Sequence, residues 1–311
     1  MFLIGGAGAL GKTLIERYYR DNQIVVFSRD EHKHVEVKAQ YENVTFQIGD
    51  VKDRYSVLHA LNEHTPDIIV NAAAIKHVQI CEDNPFESVR TNIIGHKILI
   101  DCVNSCNHPA EILLYISTDK ACKPINVYGM SKAISEKLYI DFAKKQDKVK
   151  VITCRYGNVV ESTGSVIPFF KKLLEQGETS LPITDTRMTR FTITLNESVD
   201  LIEWAFDHPD SHGNIVVPKL QSLRVVDLAK VLGNYYDHKH IDLRLVGIRP
   251  GEKLHEEMVS YEESLCTICQ GKYFIITNNV VTKEPWSFSS DDNLMDLKDI
   301  KKYLEICRVI N

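Results

Sequence analysis

Four side chains within a span of fourteen residues carry the chemistry most visible in this chain. Ser117-Thr118-Asp119-Lys120 is followed eight residues later by Tyr128-Gly-Met-Ser-Lys132. An acid, an amine, a phenol and a second amine therefore stand close together in sequence. Such a set can oxidise a carbinol and then eliminate water beside the new ketone. A phenolate takes the hydroxyl proton as hydride leaves the carbon; a base and an acid then serve the elimination. Tyr128 and Lys132 are four residues apart, so a helix puts them on one face. A cation beside a phenol lowers its pKa from the usual ~10, and Lys132 is expected to play that part for Tyr128.

Hydride needs an acceptor, and the start of the chain offers a place for one. Gly5-Gly-Ala-Gly8-Ala9-Leu10-Gly11 follows the apolar run Phe2-Leu-Ile and precedes a helical pattern. Glycines there permit a tight turn and close approach of the backbone to a pyrophosphate, which the helix N-terminus attracts. In the dinucleotide fold that this context predicts, Lys132 would also hold the nicotinamide ribose. The second apolar run ends in Phe27-Ser28-Arg29-Asp30-Glu31. Where NAD enzymes usually carry an acid for the ribose hydroxyls, Ser28 and Arg29 come first, with Lys33 one turn on. A guanidinium suits a 2′-phosphate, so the pattern predicts NADP over NAD, although Asp30 would still suit a ribose. Asp50-Val51 is placed to meet the adenine, and the small residues of Asn71-Ala72-Ala73-Ala74 would let a cofactor approach.

These residues must be held by a regular scaffold. Phe2-Leu-Ile, Ile24–Phe27, Val44–Ile48, Ile68–Val70 and Ile112–Ile116 read as buried strands. Helical stretches such as Lys12–Arg20 and Asp53–Glu63 separate them, and Val149–Cys154 and Asn214–Val217 continue the series. Alternation of this kind predicts an α/β fold, a Rossmann-type doubly wound parallel sheet. Beyond Val160 the pattern loosens. Helices are expected at Pro168–Gly177, Asn196–His208 and Val225–Leu232, a loop over Pro182–Phe191, and a further helix opening at Arg249-Pro-Gly-Glu-Lys253. With no linker or repeat, residues 1–160 are expected to form the NADP-binding domain, with later segments returning to it. Residues 161–311 would form mainly a smaller, interwoven C-terminal substrate lobe.

The composition sets bounds. A net charge of −5 without any dominant Lys/Arg block argues against a nucleic-acid partner. No apolar run reaches the ~18 residues of a membrane span, and a chain that enters a strand at Met1 leaves no room for a signal peptide. The eight cysteines are scattered. The Cys266-Thr-Ile-Cys269 spacing has no second pair, so reduced thiols, no metal and a cytoplasmic location are expected.

Taken together, these motifs resemble the extended short-chain dehydrogenase/reductase superfamily. Within it, the chain is similar to the inverting UDP-N-acetylglucosamine 4,6-dehydratases, or 4,6-dehydratase/5-epimerases. The resemblance runs from Gly5 to about Glu257. It includes Ser28–Glu31, Gly49-Asp-Val51, Ala72–His77, Ser117–Ala121 and Pro124–Gly129. Further on come Arg155-Tyr-Gly-Asn158-Val, Gly164–Pro168, Met188-Thr-Arg-Phe191 and Gly247–Lys253.

The resemblance implies a role for each position. Lys120 is the base that removes the C5 proton after C4 oxidation, and Asp119 is the acid for the departing 6-hydroxyl, with Thr118 beside them. A free lysine of pKa ~10.4 is a weak base at neutral pH, so burial and cations such as Lys132 are expected to lower it. Lys76, Asn158 and Ser165 would reach the sugar nucleotide. Arg190 and Arg249 would take the UDP diphosphate and uracil-ribose end, and Glu252 the ribose. Members usually have Ser-Arg-Gly-Ser where this chain has Ser162-Thr163-Gly164-Ser165, which leaves that arginine's contact without a counterpart. The implied reaction converts UDP-N-acetylglucosamine to UDP-2-acetamido-2,6-dideoxy-β-L-arabino-hex-4-ulose, by a homo-oligomer (dimer or hexamer). The alternatives are a retaining 4,6-dehydratase, a UDP-sugar 4-epimerase, or a non-catalytic NADP-binding regulator. Retaining relatives carry Glu in place of Lys120, and an epimerase has no water to eliminate.

Overall fold

Strands β1 (Phe2–Ile4), β2 (Ile24–Ser28), β3 (Val44–Ile48), β4 (Ile68–Asn71), β5 (Ile112–Thr118) and β6 (Lys150–Tyr156) pair in parallel in the order β3-β2-β1-β4-β5-β6. The computed structural model describes residues 1–160, 162, 164–236 and 241–310. Sheet growth reverses between β1 and β4, and such a switch leaves a crevice at the carboxyl ends of the strands.

Apart from the edge strand β3, which alternates and is partly exposed, the strands are largely apolar because both sheet faces are covered. Successive side chains point to opposite faces, which sorts them into two cores. Leu3, Val26, Val70, Leu114 and Ile152 share one core with Leu14 and Ile15 of helix Ala9–Tyr18. Phe2, Phe27, Ile69, Leu113 and Val151 share the other with Leu61, Leu99 and Tyr139, which come from helices Arg54–His64, Gly95–Ser105 and Val127–Lys145. Each fully buried aliphatic side chain stabilises the fold by roughly 1.5–3 kcal/mol relative to exposure.

Later chain returns to this sheet. Ile215–Pro218 pairs in parallel with β6, Tyr273–Ile276 lies antiparallel to it, and Thr267–Gln270 closes that edge. Nine strands result. Ile167, Phe170, Leu228, Leu232 and Leu304 form a separate core, built from helices Val166–Glu175, Val225–Tyr235 and Leu297–Ile306.

Two expectations need correction. The Pro182–Phe191 loop is shorter than expected, since Ser180–Ile183 and Thr189–Ile193 are strands on either side of a turn. No helix opens at Arg249. Gly251 has φ +80 and the Glu252 amide donates to the Arg249 carbonyl, so the segment turns and runs on to strand Glu257–Val259. A left-handed glycine after proline stops helix propagation. Among the described residues no helix is long and apolar enough to cross a membrane.

Candidate active site

A cleft of about 1130 Å³ opens over the carboxyl ends of the strands, across the β1/β4 switch. Of the site residues singled out from sequence, every one except Asp119 lines it. Asp119 is fully buried directly behind the wall.

The glycine turn is shaped by three different demands. Gly5 has φ +74, and a Cβ there would come within 2.9 Å of the Ala73 backbone. At Gly11 a Cβ would lie 1.9 Å from the Gly6 carbonyl oxygen, so helix Ala9–Tyr18 can pack on the turn only without a side chain. Gly8 is different: its Cβ would meet nothing closer than the Gly5 oxygen at 3.5 Å. Protein packing therefore does not require glycine at position 8, whereas a ligand lying against the backbone would. Gly8 caps the helix without a side-chain hydrogen bond, leaving first-turn N–H groups for an anion. These residues fit a dinucleotide.

At the adenosine end, Asp30 caps helix Glu31–Lys38: its carboxylate accepts from the Lys33 amide at 3.1 Å and pairs with Lys33 Nζ at 2.7 Å. The Arg29 side chain is 59% exposed at the rim, 3.7 Å from Asp50. Ser28 Oγ lies 2.6 Å from His34 Nε2. Val51, Ala72 and Ala74 complete this side of the wall.

The side chains expected to react sit where β5 meets helix Val127–Lys145. β5 ends at Thr118, whose hydroxyl caps the short turn Asp119–Ala121 and donates to Asp119 Oδ1 at 2.9 Å. Lys120 Nζ donates to the same oxygen at 2.9 Å and to Asn158 Oδ1 at 3.1 Å, and lies 3.7 Å from Glu256 Oε1. Asp119 Oδ2 is buried without a hydrogen-bond partner. The helix is capped by Asn126, which accepts from the Gly129 amide at 2.7 Å and donates to the Gly251 carbonyl at 2.7 Å. One cap thus ties Tyr128 to the Arg249–Glu252 turn.

Two electrostatic expectations are overturned. The chief cation acting on the phenol is Lys120, not Lys132. Lys132 is buried, donates to the Ile116 carbonyl at 2.5 Å and lies over the Tyr115 ring. Burial pushes its pKa down to about 7 against the pull of Glu136. Tyr128 is pushed up to about 12 by burial, opposed chiefly by the Lys120 ammonium and hydrogen bonding with Thr118. Lys120 itself is raised, not lowered: burial pulls it down, but Asp119 and Glu256 outweigh burial and the Arg190 charge.

On the opposite wall, Lys76 follows β4 and Asn158 opens strand Asn158–Val159. Ser165 is the N-cap residue of helix Val166–Glu175 and lines the cleft, and its buried hydroxyl has no hydrogen-bond partner. Arg190 donates from Nη1 and Nη2 to the carbonyls of Thr189, Lys253 and Leu254, which braces the 249–256 turn with three of its five N–H groups, and it still lines the cleft. Arg249 and Glu252 stand 3.8 Å apart at the mouth. Thr163 lies outside the described residues.

Among the lining groups not marked in the sequence, two carry unpartnered buried oxygens. Thr91 Oγ1 is buried and unpartnered within the π-helical turn Arg90–Ile94. Glu256 is 2% exposed, yet lines the cleft. A π-turn leaves no mark in a helical pattern, whereas an acid directly after Gly251-Glu-Lys-Leu-His255 was open to notice.

The sheet order, the glycine turn and the Tyr128/Lys132 helix define an extended short-chain dehydrogenase/reductase. Residues 1–278 match the model of the family described as polysaccharide biosynthesis protein, and the chain belongs to that family. It is 38% identical to the UDP-N-acetylglucosamine 4,6-dehydratase (inverting) of Campylobacter jejuni serotype O:2, over 98% of this chain and 96% of that one. This likeness continues well past Glu257, where the motif resemblance stops. It is also 38% identical to a UDP-glucose 4-epimerase of Rickettsia conorii, over 85% of this chain and 78% of that one. The solved structure of Pen from Bacillus thuringiensis superposes with a TM-score of 0.91 at 28% identity, covering 99% of this chain and 98% of that one.

Proposed function

We propose that this protein is an inverting UDP-N-acetylglucosamine 4,6-dehydratase that uses NADP and forms UDP-2-acetamido-2,6-dideoxy-β-L-arabino-hex-4-ulose. The observation that carries the reading is the hydrogen bond of 2.9 Å between Lys120 and Asp119 at the cleft wall. It supports an acid and a base for elimination, in addition to a phenol for oxidation.

The bound cofactor would accept the C4 hydride and return it to C6. Tyr128 takes the C4 hydroxyl proton; Lys120 and Thr118, with the cofactor's positive ring, offset the burial that holds its pKa up. Lys132 holds the nicotinamide ribose. The ketone acidifies C5–H. Lys120 removes that proton as an amine, and Asp119 gives a proton to the leaving 6-hydroxyl through the Thr118 hydroxyl, which bonds Asp119 and itself lines the cleft, so the C6–O bond breaks and water departs. An amine beside a carboxylic acid is the tautomer of the resting ammonium–carboxylate pair, reached by moving one proton along their hydrogen bond. Elimination restores the ion pair. Lys120 then returns a proton to C5, and the proton held by Tyr128 resets the pair. Inversion with a single lysine requires the planar intermediate to present its other face before reprotonation.

NADP is favoured because Asp30 is occupied as a helix cap while Arg29 stands open at the rim. Arg190 and Arg249 take the diphosphate end, Glu252 the uridine ribose, and Lys76, Asn158 and Ser165 the sugar. Ile80, Phe86, Met130 and Ile134 are exposed apolar residues on helices Val78–Asp83, Pro85–Val89 and Val127–Lys145. They support a homo-oligomer, and the cysteines, which form no disulfide among the described residues, support a cytoplasmic location.

The likeness to a UDP-glucose 4-epimerase favours a second reading, in which the sugar is oxidised and reduced at C4 without loss of water. Lys120 and Asp119 would then have no task. Incubation with UDP-N-acetylglucosamine and mass spectrometry separates the readings: loss of one water supports the dehydratase, and an isobaric product the epimerase.

A further inference from the structure

Lys120 is flanked by two carboxylates, and the dehydratase reading gives a task to only one of them. Asp119 holds the ammonium from behind the wall. Glu256 reaches it from the 249–256 turn with Oε1 at 3.7 Å, and it lines the cleft where Asp119 does not. The Glu256 side chain is 3% exposed, and Oε2 is buried without a hydrogen-bond partner. Its nearest cation on that side is Lys253 Nζ at 3.5 Å. Burying a carboxylate with one oxygen unsatisfied costs free energy that nearby cations must offset. The turn is nonetheless built to hold Glu256 in place: its amide accepts no slack, donating to Ser290 Oγ at 2.9 Å while its carbonyl accepts from the Ser290 amide at 2.8 Å.

We propose that Glu256 is a positioning residue for the C5 base: its carboxylate holds the Lys120 ammonium at the cleft wall opposite Asp119 and governs when Lys120 carries its proton. This rests on the dehydratase reading for the identity of the base. The charged and titratable groups facing Lys120 are Asp119 on its own turn, Glu256 and Arg190 from the substrate side, and Tyr128 from the catalytic helix. Asp119 and Glu256 favour the ammonium and Arg190 disfavours it. Two carboxylates keep Lys120 charged and ordered while the cleft is open. Transfer of one proton to Asp119 leaves Glu256 as the remaining anion that holds the lysine head in place during elimination.

The test is competitive acetylation of Lys120 in the full chain without substrate, followed by peptide mass spectrometry between about pH 8 and 11. An opposite charge within about 4–6 Å typically moves a pKa by one to three units. Glu256→Gln should therefore raise Lys120 labelling at a fixed pH by about ten-fold or more, and Glu256→Asp should restore much of the wild-type rate. With substrate, the acid limb of C5–H exchange should move to lower pH in Glu256→Gln. Lys253→Met gives an arm of opposite sign that decides the matter if Glu256→Gln fails to fold: removing the cation beside Glu256 should slow Lys120 labelling. Unchanged labelling in the folded variants overturns the proposal. Labelling needs no turnover, so that failure leaves the dehydratase reading untouched. A wild type that does not consume UDP-N-acetylglucosamine removes the reading but not the charge relationship.

Discussion

Gly129 faces the backbone of Lys120 so closely that a Cβ on it would lie 2.2 Å from the Lys120 carbonyl oxygen. The helix that carries Tyr128 is thereby pressed onto the turn that carries Asp119 and Lys120, and the Tyr128-Gly129 step fixes their spacing. Alanine in a helix interior normally stabilises by up to about 1 kcal/mol relative to glycine. Here Gly129→Ala must push the turn away. It should destabilise by about 1–3 kcal/mol and lower kcat more than it alters KM. A raised Tm with unchanged kcat would show that the contact does not set the site.

Lys132 carries a pH signature. Its folded pKa of about 7 lies below the usual ~10.4, so the unfolded chain binds the extra proton between those values. This group's contribution to stability therefore rises as pH increases from about 7 towards 10, and its penalty is full below 7. Lys132→Met should raise the Tm of the cofactor-free protein at pH 6 by at least about 2 °C. That gain should fade near pH 10, and turnover should be lost. Melting curves at the two pH values check the sign.

Removing the base should separate oxidation from elimination. Lys120→Ala is expected to retain cofactor and UDP-sugar binding and to lower C5–H exchange by about 10²–10⁴-fold. Slower oxidation, because Lys120 also lowers the Tyr128 pKa, followed by stopped turnover with bound NADPH, seen by absorbance, is the expected outcome. Near-normal turnover would remove Lys120 from the role.

The rim makes a prediction about the cofactor. Loss of a charge-assisted phosphate contact costs roughly 1.5–3 kcal/mol, so Arg29→Ala should weaken NADP by about ten-fold or more and hardly alter NAD. Titration of both cofactors against wild type and variant measures this. Equal affinity of the wild type for NADP and NAD would contradict the assignment.

The parallel sheet was legible because strands covered on both faces leave continuous apolar runs, as at Phe2–Ile4 and Ile112–Ile116. The glycine turn and the Tyr128/Lys132 helix were legible from local spacing. What escaped was set by contacts distant in sequence. The charge on Lys120 depends on Arg190 and Glu256 as well as on its chain neighbour, which reversed the expected shift. Lys132 shares a helix face with Tyr128, yet its ammonium turns to the Ile116 carbonyl and the Tyr115 ring. The stretch after Arg249 has helix-compatible residues, but Gly251 at φ +80 makes it a turn, and that turn brings Glu256 to Lys120.

Inverting dehydration is tested most directly by NMR of the first product formed from UDP-N-acetylglucosamine in D₂O, with the starting C4 hydrogen labelled. The account predicts the L-arabino 4-keto sugar, with solvent deuterium at C5 and a C6 methyl that has kept the label from C4. Couplings of the D-xylo 4-keto sugar as first product would contradict inversion, and a label returned to C4 would contradict dehydration altogether.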